Sequence, residues 1–443
     1  MNKYEIIELL GGREFKGAKE VLEQMNVVDI ASLLGELDDK ESVQVFRLIK
    51  KETAAQVFTY MDNFRQSELV KMLTQDEVTS IIADMFIDDA VDFLEDLPAN
   101  VVNRILDNID KTKRESINKL LNYPEDSAGS IMTTEYVDIR QNMTVKESMV
   151  HIKQVGIDKE TIYTCYVLEK RRLIGIVEAK DLLVSDDDVL IKDIMKTNFK
   201  YVNTHSDQEE VGKLFAKYSL LAMPVLDLDG FMVGIVTVDD AVDVIVEEAT
   251  EDMTVMAAMT PSEDNYFNTS VFQHAKHRIL WLLILMLSAT FTGMIITKYE
   301  GAFQVVPLLV SFIPMLMDTG GNCGSQSSTL VIRGIALEEI EFKDIFKVVY
   351  KEFRISILVG MALAVANGIR ILIMYKDIKL ACVVGISLTA TVIISKFIGG
   401  VLPLVAKKLK LDPAIMAAPL ITTLVDTCSI VIYFFVATRV FNL

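Results

Sequence analysis

The chain has 443 residues, enough for two or three domains. Hydrophobic residues make up 51% and the mean hydropathy is +0.34, which excludes a disordered chain and points to membrane segments. A net charge of −18 excludes a nucleic-acid binder, which needs basic surface. That charge is unevenly spread. Residues 271–443 hold 16 Lys+Arg and 10 Asp+Glu, while residues 1–270 hold 28 and 52, a net of −24. An acidic half precedes a mildly basic, very hydrophobic one. The cysteines Cys165, Cys323, Cys382 and Cys428 form no CxxC pair, and the four histidines form no HExxH group, so neither a zinc nor an iron–sulfur site is expected. The first residues, MNKYEIIELLGG, lack the apolar core of a signal peptide, so the acidic half is expected on the cytoplasmic side.

Residues 29–121 read as short amphipathic helices in series, starting near Asp29, Lys40, Glu52, Arg65, Asp76, Asp88, Ala99 and Thr112. Units of 11 to 13 residues are too short to bury an apolar face alone, so neighbours must stack into a superhelix. Residues 131–248 hold an internal repeat. Ile131-Met132 recurs as Ile194-Met195, and Gly175-Ile176-Val177 as Gly234-Ile235-Val236. Each half predicts a helix, a strand (163–168 or 223–226), a turn, a second strand (173–177 or 232–236) and an acidic helix start at Lys180-Asp181 or Asp239-Asp240. This order resembles a tandem of CBS domains. An acidic helical stretch over 239–260 follows, with Asp240, Asp243, Glu247, Glu248, Glu251 and Asp252 three and four apart, so several carboxylates share a face.

From Ile279 to Thr297 no residue is charged, long enough to span a bilayer. Further spans are predicted over 303–332, 353–375, 379–405 and 413–438. Near the span ends, ten Lys and Arg lie on the N-terminal side against five on the other, which places the N-terminus inside. Two spans are too polar for lipid. The second, PMLMDTGGNCGSQSSTLVIRG, carries Asp318 and paired glycines, and the fifth, DPAIMAAPLITTLVDTCSIVIYFF, carries Pro419, Thr422, Thr423 and Asp426. A carboxylate at that depth costs about 2.5–3.5 kcal/mol on insertion scales and normally faces a cavity. Prolines and glycines there would free backbone carbonyls towards a hydrophilic path. The lining is all oxygen, as a hard dication prefers. Lys396 lies on another span, and snorkelling towards the inner interface is its expected disposition. Cys323 and Cys428 are expected as small apolar filler.

These two segments, the linker Tyr123-Pro124-Glu125-Asp126-Ser127-Ala128-Gly129 and the order of parts together resemble the MgtE family of magnesium transporters. The resemblance implies a helical N domain (1–128), tandem α+β CBS domains (129–250), a connecting helix (251–275) and a five-helix transmembrane pore domain (276–443). It implies a homodimeric Mg²⁺ channel whose pore lies on the dimer axis. Asp426 maps onto the central cation site, with Thr422 on the same span. Gly320, Gly321 and Asn322 map onto a Gly-Gly-Asn turn nearby, and Asp412 onto the cytoplasmic mouth. Some members carry Gly where this chain has Asp318, and Asn where it has Ser325. The family is closed by cytoplasmic Mg²⁺ bridging acidic surfaces. The matching positions are Asp88, Asp92, Asp207, Glu209, Asp240, Asp243, Glu248, Glu251 and Asp252. Its CBS domains can bind ATP, for which Tyr163, Lys180 and Asp181 are the corresponding residues.

Two other readings compete. One is a carrier of another divalent cation such as Co²⁺, Mn²⁺ or Ni²⁺, or a Na⁺-coupled exchanger, which the all-oxygen lining disfavours for softer metals. The other is a membrane-anchored nucleotide sensor, which would need no acid at the membrane midplane. Neither a nucleophile–base pair nor a GxxxxGK[ST] sequence is visible, so an enzyme is not expected.

Overall fold

The computed structural model describes residues 2–95, 97–262, 266, 267, 269–416 and 418–442. The chain forms two compact units, Met1–Glu247 and Glu248–Leu443. In the first unit, ten helices of eight to ten residues run from Asn2–Gly11 to Lys111–Leu120. The eight expected starts fall within two residues of the observed ones, and Asn2–Gly11 and Phe15–Leu22 are additional. Half of these helices are entered through a side-chain cap. Asn26, Asp38, Asp62 and Asp110 each accept a hydrogen bond from a first-turn amide, and Thr74 with Glu77 makes a reciprocal capping box. The repeat is therefore a helix of about two and a half turns, capped at its start in half of the cases.

Helices two apart in sequence pack together: Val27–Glu36 on Lys51–Thr59, that helix on Gln75–Asp84, and Ile87–Glu95 on Lys111–Leu120. Side chains 30 residues apart tie these layers. Arg47 grips Glu77 at 2.8 Å, Thr59 Oγ1 donates to Asp89 at 3.3 Å, and Arg65 donates to the Gly35 carbonyl at 2.7 Å. One hydrophobic core runs through these helices and on into Val202, Val211, Phe215, Met223 and Val236.

The repeat over 131–248 forms two three-stranded sheets. Val137–Ile139 pairs parallel with Thr164–Glu169, which pairs antiparallel with Arg172–Glu178; Val202–Asn203, Ala222–Leu226 and Met232–Thr237 repeat the pattern. The halves exchange their leading segments. Thr133, after Ile131-Met132, pairs with Ile235 of the second half, and Lys196, after Ile194-Met195, pairs with Ile176 of the first. This crossing explains the repeated glycines. A Cβ at Gly175 would lie 2.9 Å from Met195 Sδ, and one at Gly234 would lie 2.7 Å from Met132 Sδ. The acidic helix runs Val238–Met256; Ala257–Ser262 lie outside a helix, and the next helix starts at Val271.

Among the described residues of the second unit, four helical segments are long and apolar enough to cross a membrane: Val271–Lys298, Phe342–Tyr375, Ile378–Lys408 and Pro413–Phe441. The second expected span needs correction at its start. The stretch over 303–332 is a short helix, Glu300–Val305, a 3₁₀ turn, Pro307–Phe312, and a 24-residue helix, Ile313–Ala336. Pro307 has no amide for a helical bond and Pro314 sits in a first turn, so the helix restarts there. Ile313–Ala336 is long enough to span at about 1.5 Å per residue, but its Gly, Ser and Asn content keeps it from reading as apolar. It packs against Ile378–Lys408 and Ala418–Phe441, and Val271–Lys298 packs on Ala418–Phe441.

Candidate functional site

The polar span does not break at its glycines. Ile313–Ala336 is one continuous helix, so the expected freed carbonyls and Gly-Gly-Asn turn are absent from it. Close neighbours replace the missing side chains. A Cβ at Gly320 would lie 2.8 Å from Val425 Cγ1 and Thr391 Cγ2, one at Gly321 2.9 Å from Thr422 Cγ2, and one at Gly324 2.5 Å from Ile421 Cγ2. The glycines thus seat this helix on its neighbours, with Gly320 and Gly321 buried. Thr422 donates to the Pro419 carbonyl at 2.9 Å. Pro419 stands in the first turn of Ala418–Phe441 and leaves that helix unbroken.

On the side away from these contacts, Asp318, Asn322, Gln326 and Thr329 are all exposed. Steps of four, four and three residues align them in one stripe along the helix. Asn322 Nδ2 donates to Asp318 Oδ1 at 3.2 Å. Asp426, on Ala418–Phe441, is half-buried, and the Asp318 charge acts on it. Oxygen-bearing side chains therefore stand on two helices that pack together, beside a surface that the chain itself leaves open. Asp412 is exposed and accepts from the Ala414 amide at 2.7 Å, capping the turn before the last helix. Cys323 is buried and Cys428 half-buried, so sulfur stays off the exposed stripe.

Behind the stripe, Lys396 does not snorkel. It is 5% exposed, Glu352 is 7% exposed, and the two are 3.8 Å apart. Ser327, fully buried, donates to Glu352 Oε2 at 2.6 Å and accepts from Lys396 Nζ at 3.2 Å. A lysine held by a buried carboxylate has no reason to extend to the interface. Sequence reasoning missed Glu352 because the third span was expected from 353, whereas its helix starts at Ile345.

In the first unit the structure gathers carboxylates that the sequence scatters. Asp88, Glu135 and Glu160 offer oxygens within 4.8 Å of one another. Asp88 is 6% exposed, and its carboxyl is pushed well above the usual range by burial and by Asp240, Asp89 and Glu160. Burial, with neighbouring acids, also raises Glu160 to about 8 and Asp240 to about 7. Asp92 keeps an exposed edge, yet desolvation and the Asp240 charge raise it as well. Glu160 Oε2 is buried without a hydrogen-bond partner. Lys113 and Lys159 are the cations that act on Glu135, and Lys113 is itself lowered by burial and donates to the Ala83 and Met85 carbonyls. Thr237 donates to Asp240 at 2.6 Å and to Asp239 at 2.5 Å.

Of the expected acidic positions, Asp88, Asp92 and Asp240 converge here. Asp243 lies one turn beyond Asp240, and burial with the Asp239 charge raises it. Asp207 and Glu209 are engaged elsewhere: Asp207 caps the Gln208–Tyr218 helix, and Glu209 pairs with Lys213 at 2.5 Å. Glu248, Glu251 and Asp252 continue along the Val238–Met256 helix. Asp89, Glu135, Glu160 and Asp239 were missed, although Asp89 and Asp239 adjoin expected positions. Glu135 and Glu160 come from loops around the first sheet, and no sequence periodicity marks them. In the first half of the repeat, Tyr163 is 65% exposed, Lys180 is exposed, and Asp181 lies 3.4 Å from Lys196 Nζ.

Comparison with known proteins agrees with this organisation. Residues 313–436 match the MgtE divalent cation transporter family, 25–126 the MgtE intracellular N domain, and 128–187 and 191–247 the CBS domain. The magnesium transporter MgtE of Thermus thermophilus is 35% identical, the match covering 97% of this chain and 96% of that protein. The magnesium transporter MgtE of Bacillus subtilis is 33% identical over 98% and 96%. A crystal structure of the cytosolic domain of the Mg²⁺ channel MgtE in complex with ATP is 36% identical with a TM-score of 0.53, over 55% of this chain and 99% of that one. The soluble part of a magnesium transporter is 31% identical with a TM-score of 0.54, over 56% and 98%. The relatives are named as transporters and not as enzymes, and the likeness spans nearly the whole chain: the chain belongs to the MgtE family of divalent cation transporters, a membrane protein with a helical N domain and paired CBS domains.

Proposed function

We propose that the chain carries Mg²⁺ into the cell as a homodimeric channel of the cell membrane, with its N-terminus in the cytoplasm. The observation that carries this reading is the exposed stripe of Asp318, Asn322, Gln326 and Thr329 on a helix whose opposite face is buried against neighbouring spans. Facing lipid, such a stripe is costly, with one central aspartate alone worth about 2.5–3.5 kcal/mol. A second copy laid over it would enclose a hydrophilic path and double each carboxylate. Asp426 and Asp318 then supply the field that holds a hydrated dication, and Asp412 stands at the cytoplasmic mouth. Mg²⁺ keeps several waters and takes few direct carboxylates, which suits amides, hydroxyls and two acids per copy. The membrane potential drives entry, about 2.3 kcal/mol per charge per 100 mV. The absence of sulfur from the stripe disfavours a carrier selective for softer metals, while Mn²⁺ shares the oxygen preference of Mg²⁺ and stands as the competing cargo.

Closure belongs to the acidic cluster. Asp88, Asp92 and Asp240, joined by Glu135 and Glu160, form a partly buried anionic cluster in which acids outnumber cations. Intracellular Mg²⁺ would neutralise it, hold the N domain against the CBS pair, and act through the Val238–Met256 helix, with Asp243, Glu248, Glu251 and Asp252 as further acidic contacts and Asp207 and Glu209 as outlying ones. ATP is a regulatory ligand of the CBS pair: Tyr163 offers an exposed ring to adenine, Lys180 a cation to phosphate, and Asp181 an acceptor to ribose hydroxyls.

The test is Mg²⁺ entry into proteoliposomes carrying an internal Mg²⁺ dye and an inside-negative potential. Wild type should fill them, and Asp426→Ala at equal insertion should lose at least about tenfold in rate, one lost charge interaction of about 1.4 kcal/mol or more. Uptake that survives this change moves the cation site to Asp318. No uptake by wild type, even at low internal Mg²⁺, rejects the channel and favours the CBS nucleotide sensor.

A further inference from the structure

We propose that Glu352, Ser327 and Lys396 are positioning residues: they clamp the back of the Ile313–Ala336 helix and so fix the placement of the stripe that faces the ions. This rests on the reading of that stripe as the ion path. Ser327 lies nine residues after Asp318, which at 3.6 residues per turn sets it on the opposite face of the helix. The clamp joins three helices, because Glu352 belongs to Ile345–Tyr375 and Lys396 to Ile378–Lys408. At 3.8 Å the two charges are not directly hydrogen-bonded. The single Ser327 hydroxyl completes the link, accepting from the ammonium and donating to the carboxylate. One hydroxyl on the stripe-bearing helix therefore closes the circuit between the two charged ones.

The surroundings are shaped to hold it. A Cβ at Gly400 would lie 3.3 Å from Glu352 Cγ, and one at Gly324 would lie 3.3 Å from the Ser395 carbonyl. A Cβ at Gly399 would strike the Gly324 carbonyl. At this level the stripe-bearing helix and its neighbour meet backbone to backbone, so a small slip would carry Asp318 and Asn322 with it. Stability alone does not account for such a pair. Well-packed apolar residues in place of a buried ion pair are often as stable or more so, whereas a polar link specifies one register. The pair is also neutral as a unit, so it anchors the helix without opposing a passing dication.

The experiment uses the full-length protein in proteoliposomes and measures Mg²⁺ and Co²⁺ entry in parallel. Ser327→Ala removes only the bridging oxygen, and Glu352→Leu with Lys396→Met removes both charges without leaving either unpaired. Both should insert at wild-type levels, lose five- to tenfold in Mg²⁺ rate, and change the Mg²⁺:Co²⁺ ratio. The exchange of Glu352→Lys with Lys396→Glu should recover part of the rate. A fault in folding alone lowers both ions together, so an unchanged ratio overturns the proposal, as do wild-type rates in both variants. If Asp318→Ala and Asp426→Ala also leave entry untouched, the stripe is not the ion path and the underlying reading fails; if they abolish it while the clamp variants do not, only the clamp fails. Should the double variant not insert, Ser327→Ala decides.

Discussion

Gly324 illustrates how a residue's type can be legible while its direction is not. Its place in a polar membrane motif points to a role in the ion path, yet its missing side chain faces Ile421 and the Ser395 carbonyl. Spacing along one helix orders residues around its axis but does not say which side a neighbouring helix will cover. The same limit hid the partner of Lys396. A lone lysine in a span invites an interfacial explanation, and only the meeting of three helices brings Glu352 to it. Asp318 and Asn322 were singled out by residue type, but Asn322 was expected in a turn, and their shared face follows from the spacing of four only once the segment is one helix. The close approach gives a first prediction. Gly324→Ala must displace Ile421, and Gly399→Ala must displace backbone. Each should cost about 1–3 kcal/mol by overpacking, with Gly399→Ala the larger. Thermal unfolding in detergent checks this, and melting temperatures equal to wild type for both would contradict the geometry.

Elements with their own punctuation were the easiest to place. Eight N-domain helices begin where an Asp, Asn or Thr, or another loop residue, precedes an apolar period, and each observed start lies within two residues of its expectation. Strands Val137–Ile139 and Val202–Asn203 were not expected, since two or three residues show no alternation. The exchanged pairing of Thr133 with Ile235 and of Lys196 with Ile176 is non-local and leaves only an indirect trace, the repeated Gly beside a Met. Thr74 and Glu77 carry the prediction at this scale. Thr74 caps the Gln75–Asp84 helix, and Glu77 binds both the cap and Arg47 of the layer 30 residues earlier. Thr74→Ala should destabilise the N domain by about 1 kcal/mol in denaturant unfolding. The Arg47 hydrogen bond holds Glu77 down at about 2, below the unfolded carboxylate range near about 4.3. A depressed folded pKa gives stability that is present above about pH 4.3 and is lost as pH falls towards about 2. Glu77→Gln should therefore flatten that part of the acid-stability curve, and an unaltered curve would dismiss the Arg47–Glu77 tie as a stabiliser.

For the molecule as a whole, the excess of negative charge in the first 270 residues was legible by counting, but its focus was not. Most of the charge stays at the surface. Part of it is folded inward, where Asp88, Glu135 and Glu160 crowd together and burial drives several carboxyls up, Glu160 to about 8 and Asp240 to about 7. A carboxyl whose folded pKa is raised binds its proton more tightly in the packed state, so its contribution favours that state at low pH and is lost as pH climbs from about 4 to about 8. A dication can replace the protons. Binding must then release them, and the apparent affinity must rise with pH across the same window, by about tenfold per pH unit for each proton displaced. The full-length protein in detergent should accordingly resist protease at pH 6 with little added Mg²⁺, become sensitive at pH 8 without it, and regain resistance at pH 8 when it is added. Asp88→Asn should blunt both the pH dependence and the Mg²⁺ requirement, because it removes the most buried charge without changing the shape of the side chain. Protease resistance indifferent to pH and to Mg²⁺ would mean that the cluster stays protonated throughout and senses nothing. Resistance restored at pH 8 by ATP in place of Mg²⁺ would shift control to the surface around Tyr163, Lys180 and Asp181, where an exposed ring and an exposed cation are open to a nucleotide.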